Sequence, residues 1–270
     1  MISTLVFRSG LAAVCATALF ASGGASQAAQ PEPTGATPAH ASSQNAYAAL
    51  AKLPDWSGAW DPAFMRPPPG AARPAPPKLT PAYAAQYAKY LAENRKTPGL
   101  NFVSDQASCV PPGLPQSMTE PYPIEFLFTP GRVTILIETD HLIRRIYTDG
   151  RSLPEDPDPT YQGSSVGHWE GDTLVVETSA IVDSTSPMQG INGHSDKFHV
   201  TERIRLVQPD MLAITTTRVD PAVFVEPYAT TSYYRRHRDW QVMEYVCEQN
   251  NHDALNAQGK PAFSLSHKPE

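Results

Sequence analysis

The feature that most constrains this chain is a succession of short period-two segments between Pro121 and Cys247, separated by turn residues and by no helix-length crossover. The segments are 124–128, 132–138, 142–148, 165–169, 173–179, 198–207, 211–219, 230–237 and 240–247. Between them lie turn signals such as Thr129-Pro130-Gly131, Asp149-Gly150, Glu170-Gly171-Asp172 and Gln208-Pro209-Asp210. Strands joined mostly by short turns pair antiparallel, and an open sheet of that many strands would expose long unpaired edges. Closure removes the edges. The pattern therefore predicts an all-β, mainly antiparallel, lipocalin-like up-and-down β-barrel over 121–252, its last hairpin pairing 230–237 with 240–247; the alternative is a β-sandwich.

The flanking segments differ in composition. Residues 1–28 carry one cation, Arg8, then the apolar run Leu11–Ala21 and the small residues ending Ser26-Gln27-Ala28. This is the pattern of a secretory signal peptide. The apolar core is about half the roughly 20 residues a spanning helix needs, and no later segment is apolar enough to span. Cys15 lies within the apolar run and is not placed as a lipid-attachment cysteine. Cleavage predicts a periplasmic or secreted protein with no membrane span.

Residues 29–54, rich in Ala, Pro, Ser and Gln, read as a disordered linker. Residues 55–120 read as a Pro-rich extension, a tether rather than an SH3-type docking segment, with Trp56 and Trp60 tucked against the main domain and one helix over 81–95. Thr80-Pro81 marks the start of that helix, and Tyr83, Tyr87 and Leu91 give it an apolar stripe. Residues 253–270 read as a C-terminal tail.

The chain has a formal charge of −6, and loss of the leader with Arg8 makes it more acidic. That speaks against a nucleic-acid partner. Two cysteines, Cys109 and Cys247, remain after cleavage; an even pair in an oxidising compartment, with no CxxC spacing, predicts a disulfide. Nothing in the sequence specifies an oligomeric state.

The stretch GHWEGDTLVVET (167–178), together with CVPPGLP (109–115), PYPIEF (121–126), RRIYTDGR (144–151), TERIR (201–205), EYVCEQNN (244–251) and the Gly193-His194-Ser195 step, resembles a family of exported proteobacterial and acidobacterial proteins. The resemblance implies export and a β-rich fold. It implies no activity.

Chemistry must then be sought in the pattern itself. In 198–207, Phe198, Val200, Glu202, Ile204 and Leu206 share one strand face and His199, Thr201, Arg203 and Arg205 the other. Glu202 is thereby carried into the interior, where a carboxylate either has a raised pKa and acts as acid or base, or is paired with a cation such as Arg144 or Arg145. In the last segment Glu244 and Glu248 share a face and could converge with Asn250. Glu138 and Glu177 lie at strand ends, where solvation explains them. His194, His199 and Glu202 are the densest ligand-type group, but 199 and 202 point to opposite faces, so no metal is expected. There is no nucleotide-binding glycine motif, and Gly163-Ser164-Ser165-Val166-Gly167 is not a nucleophile elbow, so no cofactor is expected.

Three readings result. The first is a barrel binding a small, partly apolar molecule in its interior or mouth, with Arg144, Tyr147, Trp169, His199, Glu244, Glu248 and Asn250 as contacts. The second is a cofactor-independent lyase, isomerase or hydrolase using Glu202 with His194. The third is an envelope structural or interaction module.

Overall fold

The structure, a computed structural model, describes residues 43–62, 67–96, 109–246, 254–255 and 261–262. Among these, nine strands form one closed barrel: β1 (Ala59–Pro62), β2 (Ile124–Thr129), β3 (Arg132–Ile137), β4 (Leu142–Tyr147), β5 (Ser164–Glu170), β6 (Thr173–Ser179), β7 (His199–Gln208), β8 (Met211–Val219) and β9 (Tyr228–His237). A separate two-stranded ladder joins β10 (Ala254–Leu255) to β11 (Pro261–Ala262). The local signals act as expected. Between β2 and β3, Pro130 and Gly131 make a two-residue turn, and the φ of 71° at Gly131 is the left-handed value that glycine tolerates at the third position of a type II turn.

Closure comes from an unexpected place. The segment 240–247 was expected to pair with β9, yet 240–246 form no strand, and Cys247 lies outside the described residues. The partner of β9 is β1, from the Asp55-Trp56-Ser57-Gly58-Ala59-Trp60 stretch, with Ala59 opposite His237 and Pro62 opposite Tyr234. The other edge of β1 meets β2 at Ala59–Glu125 and Trp60–Ile124. Part of the presumed extension therefore belongs to the barrel.

Burial explains the choice. Trp56 and Trp60 are 2% and 0% exposed, whereas Trp240 and Met243 stay 43% and 65% exposed. Each buried indole removes a large apolar area from water, which a mixed-face segment such as 240–246 cannot match. That segment instead runs along the wall, donating from Met243 N to Glu138 Oε2 at 2.8 Å and from Tyr245 N to His141 Nε2 at 2.5 Å.

The junction at β1 is latched by Arg236. Its guanidinium lies 4.6 Å from the Trp60 ring and donates to the Asp55 carboxylate at 2.9 Å and to the Pro209 carbonyl at 3.1 Å. The Asp55 carboxyl is held well below its ordinary range, first by hydrogen bonds from Ser57 and then by Arg236.

The barrel is also not purely up-and-down. A closed ring of nine strands cannot be antiparallel throughout, because directions must alternate an even number of times to return to the start. The necessary parallel step falls between β4 and β5, which pair only at Ile146–Ser165 and Tyr147–Val166. Residues 148–163 carry the chain back between the two. Gly163, at φ 63°, ends that return where a Cβ would come within 2.6 Å of the Ser179 carbonyl oxygen.

Inward-facing side chains occupy the lumen: Ile135, Ile137, Ile146, Leu174, Val176, Val200, Ile204, Leu212, Ile214 and Tyr234 are all buried. At the end formed by the β2–β3 and β5–β6 turns, Trp56 packs on Phe126, Phe128 and Trp169 with ring centroids 5.0–5.5 Å away. At the other end, Leu114, Ile181, Ile191, Val223 and Phe224 form the floor.

Among the described residues two α-helices lie outside the barrel. α1 (Ser43–Leu50) falls in the stretch read as a disordered linker, which is therefore ordered in part. α2 (Pro81–Lys96) matches the expected helix; Tyr83 and Tyr87 pack against the core, and the Thr80 hydroxyl before it donates to the Ala222 carbonyl at 2.7 Å. No described helix is long and apolar enough to cross a membrane.

Candidate functional site

Strand parity places Glu202 inside, as expected, and the structure gives it the cationic partner Arg144. Glu202 of β7 is 0% exposed and Arg144 of β4 is 1% exposed. Arg144 Nη2 donates to Glu202 Oε2 in a close contact and to Thr178 Oγ1 at 3.0 Å; Ser165 Oγ lies at 3.5 Å from the same nitrogen and 2.8 Å from Thr178 Oγ1. Among the described residues four atoms of this cluster have no hydrogen-bond partner: Glu202 Oε1, Arg144 Nε and Nη1, and Tyr234 Oη. Burial, reinforced by the Glu202 charge, pushes the Tyr234 hydroxyl far above its ordinary range. Deeper along β8, burial draws the Arg218 guanidinium down to about 10, while its N–H groups donate to the Pro187 carbonyl at 2.8 Å and Thr230 Oγ1 at 2.9 Å. The arrangement is an internal ion pair in a polar stripe.

His194 sits apart, in the loop that precedes β7. Its Nδ1 contacts the Ser195 carbonyl at 2.9 Å, its Nε2 lies 3.1 Å from Thr185 Oγ1, and its ring rests on Phe198 at 4.3 Å. Glu202 and His194 therefore have separate partner sets and do not form the expected acid/base pair. The same loop is pinned by Asp220, a buried carboxylate that accepts from Ser195 N at 2.7 Å, Ser195 Oγ at 2.8 Å and Ala222 N at 2.8 Å. Sequence reasoning missed it; the turn signal Asp220-Pro221 was its one trace.

A ligand-sized space lies on the wall. Where β4 and β5 meet over two residue pairs, these strands and the returning loop line a groove of about 450 Å³. Ile143, Arg145, Tyr147, Arg151, Tyr161 and Gln162 line it, with Ser164, Ser165 and Val166 on the β5 side. Arg151 lies 3.9 Å over the Tyr147 ring and is gripped by Asp149 through bonds of 2.9 and 2.6 Å. Gln162 Oε1 accepts from Ser117 Oγ at 3.1 Å, while its Nε2 is buried without a partner among the described residues. Ser165 joins the two sites: it lines the groove and bonds inward to Thr178.

The expected contacts scatter around this geometry. Tyr147 lines the groove and Arg144 lies behind it on the inner face of the same strand. Trp169 belongs to the aromatic plug, His199 is exposed on the outer face of β7, and Glu244 is exposed in the segment along the wall. Glu248 and Asn250 lie outside the described residues, as do residues 1–28. Arg151, Tyr161 and Gln162 were not anticipated as contacts. Their signal was the length of the 148–163 connection among otherwise short turns, since long ordered loops are where binding groups concentrate.

Fold and site together define a closed, nine-stranded mixed β-barrel with a side-chain-filled lumen and a groove in its wall. The chain matches no family model and no curated protein.

Proposed function

We propose that this is an exported protein that binds a small, partly apolar molecule in the groove between β4, β5 and the 148–163 loop. The observation that carries the reading is the groove itself: its volume of about 450 Å³ falls in the range of small-molecule sites, and it combines aromatic and aliphatic walls with a few polar groups. The leader composition and the family resemblance support export. The filled lumen moves the expected site from the interior to the wall, and the pairing of Glu202 with Arg144 weighs against acid/base catalysis inside. The same filled lumen also suits the interaction-module reading.

A thermal-shift screen of small organic molecules against the exported protein separates the two. Binding at the groove raises the melting temperature, and Tyr147→Ala, at a partly exposed wall position, removes the shift while leaving the unliganded melting temperature within a few degrees. A screen without hits, or hits indifferent to Tyr147→Ala, would favour the interaction module.

The Cys109–Cys247 disulfide belongs to the same proposal. Tyr245, two residues before Cys247, packs on Tyr122 with ring centroids 5.3 Å apart, so the chain approaching Cys247 lies against the segment that leads from Cys109 into β2. Replacement of both cysteines by serine should lower stability by about 2–5 kcal/mol, since a long loop is closed. Two freely labelled thiols in the native, unreduced protein would refute the bond.

A further inference from the structure

The groove has a chemical bias that narrows what it takes. Among the described residues its lining contains two guanidinium groups, Arg145 and Arg151, and no carboxylate. The two differ in availability. Arg151 is neutralised by Asp149 and occupied by the Tyr147 ring. Arg145 is exposed on the outer face of β4 and has no hydrogen-bond or ion-pair partner among the described residues. Gln162 lines the same groove, its Nε2 buried and without a partner among the described residues.

Beside Arg145 is apolar surface that water would otherwise cover. Ile143 is 47% exposed at the mouth, and Tyr147, Tyr161 and Val166 continue the wall. The setting sharpens the contrast. The chain as a whole carries −6, so its general field repels anions, and a cationic patch here owes nothing to overall charge.

We infer that the groove is a site for a small organic anion, with a carboxylate-type group received by Arg145 and an apolar or aromatic body against Ile143, Tyr147 and Tyr161. This rests on the groove being the binding site and adds the class of ligand. A carboxylate meets a guanidinium through paired N–H donors. A neutral analogue forfeits the charge-assisted bonds, and a cationic one meets the uncompensated like charge of Arg145.

Three probes on one scaffold test the class: phenylacetate, phenylacetamide and phenethylamine, titrated into the isotope-labelled exported protein while backbone amide shifts are followed. The expected result is saturable shifts at Arg145, Tyr147, Gln162 and Ser164 with phenylacetate, about fivefold weaker binding of phenylacetamide, and none of phenethylamine. Arg145→Ala should weaken phenylacetate about fivefold and leave phenylacetamide unchanged; its exposure makes misfolding no obstacle. Equal affinity for phenylacetate and phenylacetamide at the groove would overturn the anion preference while leaving the groove as a binding site. Absence of groove shifts with all three probes would overturn both.

Discussion

Glu202→Ala should destabilise the protein by about 3–5 kcal/mol, a large share of the stability of an ordinary domain. The substitution leaves the Arg144 guanidinium 1% exposed with only hydroxyl partners, Thr178 Oγ1 at 3.0 Å and Ser165 Oγ at 3.5 Å. Neither supplies negative charge. A cation in that position must either carry water into the core or force β4 away from β7. The pair itself is a different matter. Removing both charges, as in Arg144→Met with Glu202→Leu, should recover most of the loss, because desolvating two ions offsets much of their attraction. Urea unfolding of the wild type, the single variant and the double variant measures this, with the m-values checking that a two-state comparison holds. A loss below about 1 kcal/mol for Glu202→Ala would show that Arg144 finds another partner and that the ion pair does not organise the interior.

Trp60→Ala should cost about as much, 3–5 kcal/mol, by a different route. The indole is 0% exposed, donates from Nε1 to the Trp56 carbonyl at 3.0 Å, and lies under the Arg236 guanidinium. Its loss leaves a cavity at the place where a four-residue strand closes the barrel. β1 holds β2 through only two residue pairs, so the opening should be local before it is global. Hydrogen exchange should accelerate first in β1 and in the facing amides of β2 and β9, while the long β6–β7–β8 ladder keeps its protection. Uniform acceleration across all strands would contradict the view of β1 as a separable latch.

The two effects arise from residues of very different legibility. Glu202 could be placed from pattern alone: five alternating positions from Phe198 to Leu206 specify a buried face, and a one-residue slip would have reversed it. Strands β6 and β8 were likewise legible to the residue, because turns at Gly171 and Pro209-Asp210 and the alternation between them are local properties of the chain. The helix over 81–95 was legible for the same reason.

Trp60 could be marked as a residue that must be buried, but not as part of a strand. Four residues in a proline-rich stretch are too few to display a period, and the choice between 59–62 and 240–247 as the partner of β9 depends on which buries more apolar surface. Similarly, the alternation on β4 separates Arg144 from Arg145 but does not say which faces Glu202. That follows from β4 and β7 facing each other across a closed ring.

What the sequence by itself determined is eight of the nine barrel strands, β2 to β9, the turns between them, and the inward face of β7 with its carboxylate in the core. All of these follow from interactions between residues close together in the chain. Tertiary structure alone decided which strand closes the ring and where the parallel step falls. It also decided that the lumen would be filled and that the wall would carry a groove. An odd-numbered ring requires a parallel step, and it fell at the long 148–163 connection. Beside that step Arg145 and Tyr147 of β4 line one groove with Tyr161 and Gln162 of the connection, a juxtaposition that no local pattern records.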